Sequence, residues 1–238
     1  SHTTMAADLT VADNDDRIVL VSITSYNPSP SPTGVTFGSV SLTQVSNSPA
    51  CDGNGCADLW YLVNPDVGTD TVTVTWGETM EKTGMVAYSF YNVDQSNPIG
   101  VVEANESDNQ YNTISNSITP TTDGSMVIET LSWILGYSDN ARPVATVGDL
   151  DGYEALTNGG YWIYSGGKTG ASQYNLTPTI NSANDMAWTS INDSDETWTA
   201  AWWRSLIVEI KIADEDTTYL VPATYSDRSA TVHYHADV

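Results

Sequence analysis

The sequence predicts an all-β fold of antiparallel strands, and three observations carry that prediction. Residues 198–212 alternate: Trp198, Ala200, Trp202, Arg204, Leu206, Val208, Ile210 and Ile212 make an almost continuous apolar stripe, against a mostly polar set from Thr199 to Lys211. β-Branched and aromatic residues dominate this stretch, and a helical period would strand Trp203, Ile207 and Val208 away from the apolar side. Short runs of similar character recur about every ten residues with Gly, Pro, Asn and Asp between them and no convincing helical pattern, the mark of a sandwich or barrel.

Taken in order, residues 2–11 lead as an edge strand, and Asp13, Asn14, Asp15 and Asp16 form an acidic turn. Residues 17–23 are apolar on both faces, which suits a central covered strand. Pro28, Pro30 and Pro32 exclude regular pairing over 27–34. Residues 35–37 and 40–45, parted by Gly38, read as a hairpin. Residues 59–63 are stopped by Asn64 and Pro65, and residues 71–76 alternate Val72, Val74 and Trp76 against Thr71, Thr73 and Thr75. Residues 85–91 and 125–133 repeat the pattern, with weaker strands at 101–102 and 111–118. From 136 to 194 the pattern loosens into Gly, Asn, Ser and Asp around Tyr153, Tyr161, Trp162, Tyr164, Tyr174 and Trp188, a loop-rich stretch suited to a contacting face. The stretch 198–212 closes the sandwich as a half-buried strand. At ~3.3 Å per residue it would run roughly 50 Å, so a bulge is expected near Arg204, where the stripe breaks.

A chain of 238 residues suits one large all-β domain with a substantial core. Lys and Arg number 7 against 30 Asp and Glu, and the formal charge of -23 opposes nucleic acid and anionic membranes as partners. No apolar run approaches the ~18 residues of a membrane span, so no membrane insertion is expected. The charge reads first as solubility of a secreted or salt-adapted protein, and second as a surface that collects divalent cations. Cys51 and Cys56 bracket a turn-rich Asp-Gly-Asn-Gly, so a disulfide is expected there in preference to a metal site. Glycosylation sequons at Asn105, Asn175 and Asn192 agree with an extracellular address.

Several stretches together, "RIVLVSI" at 17–23, "VTFGSVSLT" at 35–43, "LWYLVNP" at 59–65, the strand 71–76, "SFYNVDQSNPIG" at 89–100 and the strand 206–212, carry a resemblance in their order. They resemble the jelly-roll β-sandwich modules of large secreted and cell-surface proteins of bacteria and archaea. The resemblance covers residues 1–212 and implies a jelly-roll-like sandwich in an extracellular, cell-surface setting. It brings no catalytic residues. Residues 213–238 then form a C-terminal extension, with β-like pieces at 217–224 and 229–235 parted by Ser226, Asp227 and Arg228. Either they make a hairpin on the chain's own sheet, or the tail adds a strand to an open edge of the next copy through Tyr219, Val221, Val232 and Tyr234. An N-terminal strand could play the same part.

The chemistry-bearing residues are sparse. His2, His233 and His235 sit at the chain ends, poor frames for a hydrolase triad; His233 and His235 share a strand face and would need a third group to ligate a transition metal. Glu78, Glu81, Glu103, Glu129 and Glu154 stand in no glycosidase motif, and Glu129 reads as a solvent-side residue of strand 125–133. Calcium is the cofactor best suited to the acidic loops, at Asp13, Asp15 and Asp16, at Asp149, Asp151 and Glu154, and at Asp193, Asp195 and Glu196, although each also suits an ordinary acidic turn. The aromatic residues from Tyr153 to Trp188 suit either a core or a surface stacked against glycans. The expected function is structural and not enzymatic: a repeating subunit of a cell-surface filament or adhesive layer, with copies of itself as partner. A lectin-like module is the alternative.

Overall fold

The computed structural model describes residues 2–26, 30–48, 50–52, 55–80, 82–107, 113–135, 142–146, 153–155, 161–164, 168–175, 178–191, 200–213 and 229–236. For 26, 52, 82, 134–135, 142–146, 153–155, 161–164, 168–169, 189–191, 200–202 and 229–236 it describes the backbone path. Every regular element among the described residues is a strand. The first half of the chain gives β1 (His2–Val11), β2 (Ile18–Tyr26), β3 (Gly34–Phe37), β4 (Val40–Ser41), β5 (Thr43–Gln44), β6 (Ala50–Asp52), β7 (Gly55–Val63), β8 (Gly68–Met80) and β9 (Lys82–Phe90). There follow β10 (Ile99–Ser107), β11 (Thr113–Ile118), β12 (Met126–Leu135), β13 (Arg142–Thr146), β14 (Tyr153–Ala155), β15 (Tyr161–Tyr164), β16 (Lys168–Asn175), β17 (Asn184–Ile191), β18 (Ala200–Ile210) and β19 (Ser229–Ala236).

These strands make four antiparallel sheets. Sheet I runs β1-β8-β3-β4, and sheet II runs β19-β9-β2-β7-β5 with β6 beside β7. Sheet III runs β10-β18-β12-β16-β14 with β15 beside β16, and sheet IV runs β11-β17-β13. The alternation of each strand decides how they stack. β2 sends Val19, Val21 and Ile23 to one face, where they meet Leu9, Val35, Val72, Val74 and Trp76 of sheet I. It sends Ile18 and Leu20 to the other, where they meet Met126, Ile128, Leu206 and Val208 of sheet III. Sheet III in turn packs Leu131, Trp133 and Trp203 against Ile114 and Trp188, and Val127 and Ile207 against Ile118 and Met186, of sheet IV. Sheets II and III are thus covered on both faces, and each fully buried aliphatic in them contributes about 2 kcal/mol. A jelly roll winds one pair of sheets; here two facing pairs, I with II and III with IV, meet through II and III.

Four sheets change the reading of individual strands. β18 is buried on both sides, because Trp203, Ser205 and Ile207 face sheet IV while Leu206, Val208 and Ile210 face sheet II. Its register runs unbroken through Arg204, which pairs with Glu106 and Ser132. The irregularity falls instead where Ile134 pairs with Trp202 and Leu135 with Ala200. Between 136 and 194, β13 to β17 replace the expected loops, with β16 and β17 inside their sheets. The hairpin at Gly38 is present, Phe37 pairing with Val40. Gly38 has φ +55°, and a Cβ there would lie 2.1 Å from Asp70 Oδ2.

The chain runs nearly the same course twice. β1, β3 and β8 lie in sheet I as β11, β13 and β17 lie in sheet IV, and the central order β9-β2-β7 of sheet II matches β18-β12-β16 of sheet III. Short β5 and β6 flank β7 as β14 and β15 flank β16. The registers agree: Leu20 pairs with Tyr88 and Tyr61, and Ile128 with Val208 and Tyr174. The strand that ends each half then crosses to the other half. β10 follows β9 but pairs with β18, and β19 follows β18 but pairs with β9. The halves touch at a Val93–Ile212 bridge, flanked by Asp94 N donating to Lys211 O at 2.9 Å and Ala213 N donating to Asn92 O at 3.1 Å. The described part of the 213–238 extension therefore completes a sheet of the body.

Candidate functional site

The two terminal strands are both edge strands, and they lie against each other. β1 pairs with β8 from His2↔Met80 to Val11↔Gly68, with a register shift between His2 and Thr4. Its alternate residues Met5, Ala7, Leu9 and Val11 are buried, so the strand is held by a side-chain face as well as by its ladder. His2 is held as well: Nε2 lies 2.7 Å from Thr83 Oγ1, and the ring stands edge-on to Trp76 with centroids 5.9 Å apart. That order differs from the frayed end expected of a terminal histidine. β19 pairs with β9 from Ser229↔Ser89 to Ala236↔Lys82, which places Val232 opposite Val86 and Tyr234 opposite Gly84. Without β19, sheet II would end at β9 with a row of unpaired backbone groups. The terminal residues 229–236 thus seal sheet II of their own chain; Tyr219 and Val221 lie outside the described residues.

No family model, curated protein or solved structure matches this chain.

Behind the edges, carboxylates inside the layers hold the sheets in register. Glu129 on β12 is not a solvent-side residue; it is 0 % exposed, because sheet IV covers the face that a lone sandwich would leave wet. It accepts from Asn116 Nδ2 at 3.0 Å, Ser205 Oγ at 2.6 Å, Trp188 Nε1 at 2.7 Å and Gln173 Nε2, four donors on four strands. Burial raises its pKa above the ordinary carboxylate value, and the bonds from Ser205, Gln173, Asn116 and Trp188 oppose that shift without cancelling it. Glu209 on β18 is the contrasting case. Burial works to raise its pKa, but Val101 N at 3.0 Å, Thr122 N at 2.8 Å and Thr121 N at 2.9 Å aim at its oxygens, and the result is a lowered pKa. Gly100 makes room for that arrangement, since a Cβ there would fall 2.3 Å from Glu209 Oε2. Asp58, buried on β7, gathers Ser31 Oγ at 2.6 Å, Gln44 Nε2 at 3.0 Å, Trp60 Nε1 at 3.1 Å and Ser48 Oγ. Each of these carboxylates is engaged in positioning strands and turns.

The residues singled out in the sequence fall in several places. Cys51 and Cys56 form a disulfide between register partners of β6 and β7. Asp13, Asp15 and Asp16 lie exposed in the β1–β2 turn, where the carbonyls of Asp15 and Asp16 accept from Asn92 N and Val93 N at 3.2 and 2.9 Å. Among the described side chains no three His, Cys, Asp or Glu gather as a metal site. Glu154 pairs through its backbone with Tyr174, while Asp149, Asp151, Asp193, Asp195 and Glu196 lie outside the described residues. Asn105 is half-buried on edge strand β10. Asn175 is 0 % exposed between β12 and β14, so the folded chain offers no room for a glycan there; Asn192 is outside the described residues. Trp188 and Tyr174 are buried at 3 % and 4 % exposure, which removes both rings from any sugar-stacking surface.

Proposed function

We propose that this chain is an extracellular structural subunit, a building block of a cell-surface filament or adhesive layer, whose copies join by strand addition. The observation that carries this reading is the crossed ending of the two halves. β10, the strand after the first half, is already laid on β18 of the second. β19, the strand after the second half, belongs by the same rule on β9 of a first half, and its ladder is identical whether that half is its own or a neighbour's. The connections differ in reach. Residues 91–98 between β9 and β10 span at most ~30 Å, whereas residues 211–228 between β18 and β19 span up to ~60 Å when extended. The longer connection allows β19 to pass to a second copy, closing sheet II in trans and stringing copies head to tail.

Because the ladder contacts are equal in both arrangements, their energy cancels, and the balance rests on effective concentration and on repulsion between copies. A disulfide suits an oxidising, extracellular compartment, and the -23 charge suits a solvent of high salt. The test is electron microscopy and sedimentation of the full chain beside a variant lacking residues 213–238. Head-to-tail assemblies of the full chain, lost in the truncated one and blocked by a peptide of residues 229–236, support strand addition. Equal assembly of both forms, or a full chain that stays monomeric at high protein and salt, overturns it.

A further inference from the structure

Each strand that crosses between the halves lies against an edge of the facing sheet. β10 of sheet III lies against β11 of sheet IV, and β19 of sheet II lies against β1 of sheet I. The first pair is joined through residues 108–112, whereas β1 and β19 are separated by the whole of the intervening chain. Contact alone therefore holds β19 beside β1, and that contact is built at the start of β9. His2 Nε2 reaches from sheet I to lie 2.7 Å from Thr83 Oγ1, with its ring edge-on to Trp76. Thr83 is fully buried and is the register partner of His235 in the β9–β19 ladder. Two residues further along β9, Met85, the partner of His233, shares a core with Met5 of β1. β1 is thus tied to β9 at the residues that carry the end of β19.

We propose that β1 is a strap on strand exchange: seated, it keeps β19 on the β9 of its own chain, and lifted, it lets β19 pass to another copy. This deepens the strand-addition reading and rests on it. An edge strand leaves by local opening, and the population of the open form is set by the contacts broken in reaching it. β19 has a ladder to β9 and a second contact along β1, so release from a seated β1 breaks both. The β1–β8 ladder is interrupted between His2 and Thr4, so the end that carries His2 is held less by its ladder than by Thr83 and Trp76. That end lifts by giving up the His2–Thr83 contact, and β19 then leaves β9 without the hold that β1 supplied. Such an order suits a subunit that stays closed until it meets another copy.

The experiment follows amide hydrogen exchange of residues 229–236 in the full chain by mass spectrometry, together with uptake of a fluorescent peptide of the same residues. His2→Ala and Thr83→Val each remove one side of a single hydrogen bond and should speed exchange of 229–236 ~5-fold, with the double variant little faster than either alone. Peptide uptake should rise in parallel. Ile118→Val, in the core between sheets III and IV, weakens the fold away from β1 and should leave the exchange of 229–236 unchanged. Unchanged exchange in both contact variants, or an equal rise in Ile118→Val, overturns the strap. Faster exchange with no peptide uptake in any form supports the hold of β1 on β19 and tells against strand addition, so the two readings fail separately.

Discussion

Replacing Glu129 separates the hydrogen-bonding role of a buried carboxylate from its charge. In Glu129→Ala, the donors from Asn116, Gln173, Trp188 and Ser205 lose their acceptor inside a dry layer. At about 1–3 kcal/mol for each group that finds no new partner, and with Ser205 able to turn away, the loss should reach ~4 kcal/mol or more. That is a large share of the roughly 5–15 kcal/mol that keeps a typical domain folded. Glu129→Gln keeps a carbonyl for Trp188 and Gln173 and turns its amide toward Ser205 and Asn116, whose oxygens can accept, so it should lose only about 1 kcal/mol. Urea unfolding followed by circular dichroism between pH 4 and 8 measures both. The folded-state pKa of Glu129 is raised, so its contribution is complete below the unfolded value and is lost as pH rises through the folded one. The wild-type advantage over Glu129→Gln should therefore shrink with rising pH. A gap that stays constant or widens, or a Gln variant as damaged as the Ala variant, would refute the reasoning.

Glu209 should show the opposite sign. Its folded-state pKa is lowered, so its contribution is present above the unfolded value and lost as pH falls through the folded one; Glu209→Gln should lose stability at neutral pH and match the wild type in acid, read by urea melts. Gly100→Ala, whose Cβ meets the Glu209 carboxylate, should cost about 2 kcal/mol in the same assay and shrink that pH dependence. Asp58→Ala removes the acceptor shared by Ser31, Gln44, Ser48 and Trp60 and should cost about 2–5 kcal/mol, chiefly from the stranded Gln44 and Trp60 donors, with faster amide exchange over residues 42–48 by mass spectrometry. Assembly of copies that each carry a formal -23 should strengthen between 0.1 and 1 M salt, as the screening length falls from about 10 to 3 Å, in sedimentation velocity.

The strands were legible because each alternates. Residues 17–23, apolar on both faces, are β2 between two cores, and 71–76 fall within β8 with Val72, Val74 and Trp76 buried. What alternation could not give was the number of layers. Glu129, Asp58 and Glu209 sit at polar positions of apolar strands, the same pattern as a wet face; sheet IV makes Glu129 interior, while Asp58 is enclosed with Ser31, Gln44 and Ser48 and Glu209 with Val101, Thr121 and Thr122. Trp188 shows the same limit, since a ring amid Asn, Ser and Asp reads equally as core or as a sugar-stacking surface until Glu129 is found beneath its indole N–H. The doubled course was nearly silent as well. Tyr61 and Pro65 recur at equal spacing as Tyr174 and Pro178, but little else in those strands repeats, because a β-core constrains size and polarity more than identity. The meeting of β1 with β19 was not readable at all, being set by which edge each of these strands takes.

The central proposal is that the β19–β9 ladder formed within one chain is exchanged between copies when they assemble, and single cysteines at the register pair Val86 and Val232 test it directly. Val86→Cys and Val232→Cys chains are unfolded together, refolded at high concentration and oxidised. Strand addition predicts a disulfide joining one chain of each kind. If the mixture yields no mixed dimer, while a chain carrying both substitutions forms only the bridge within itself, then each copy closes its own sheet and the account is contradicted.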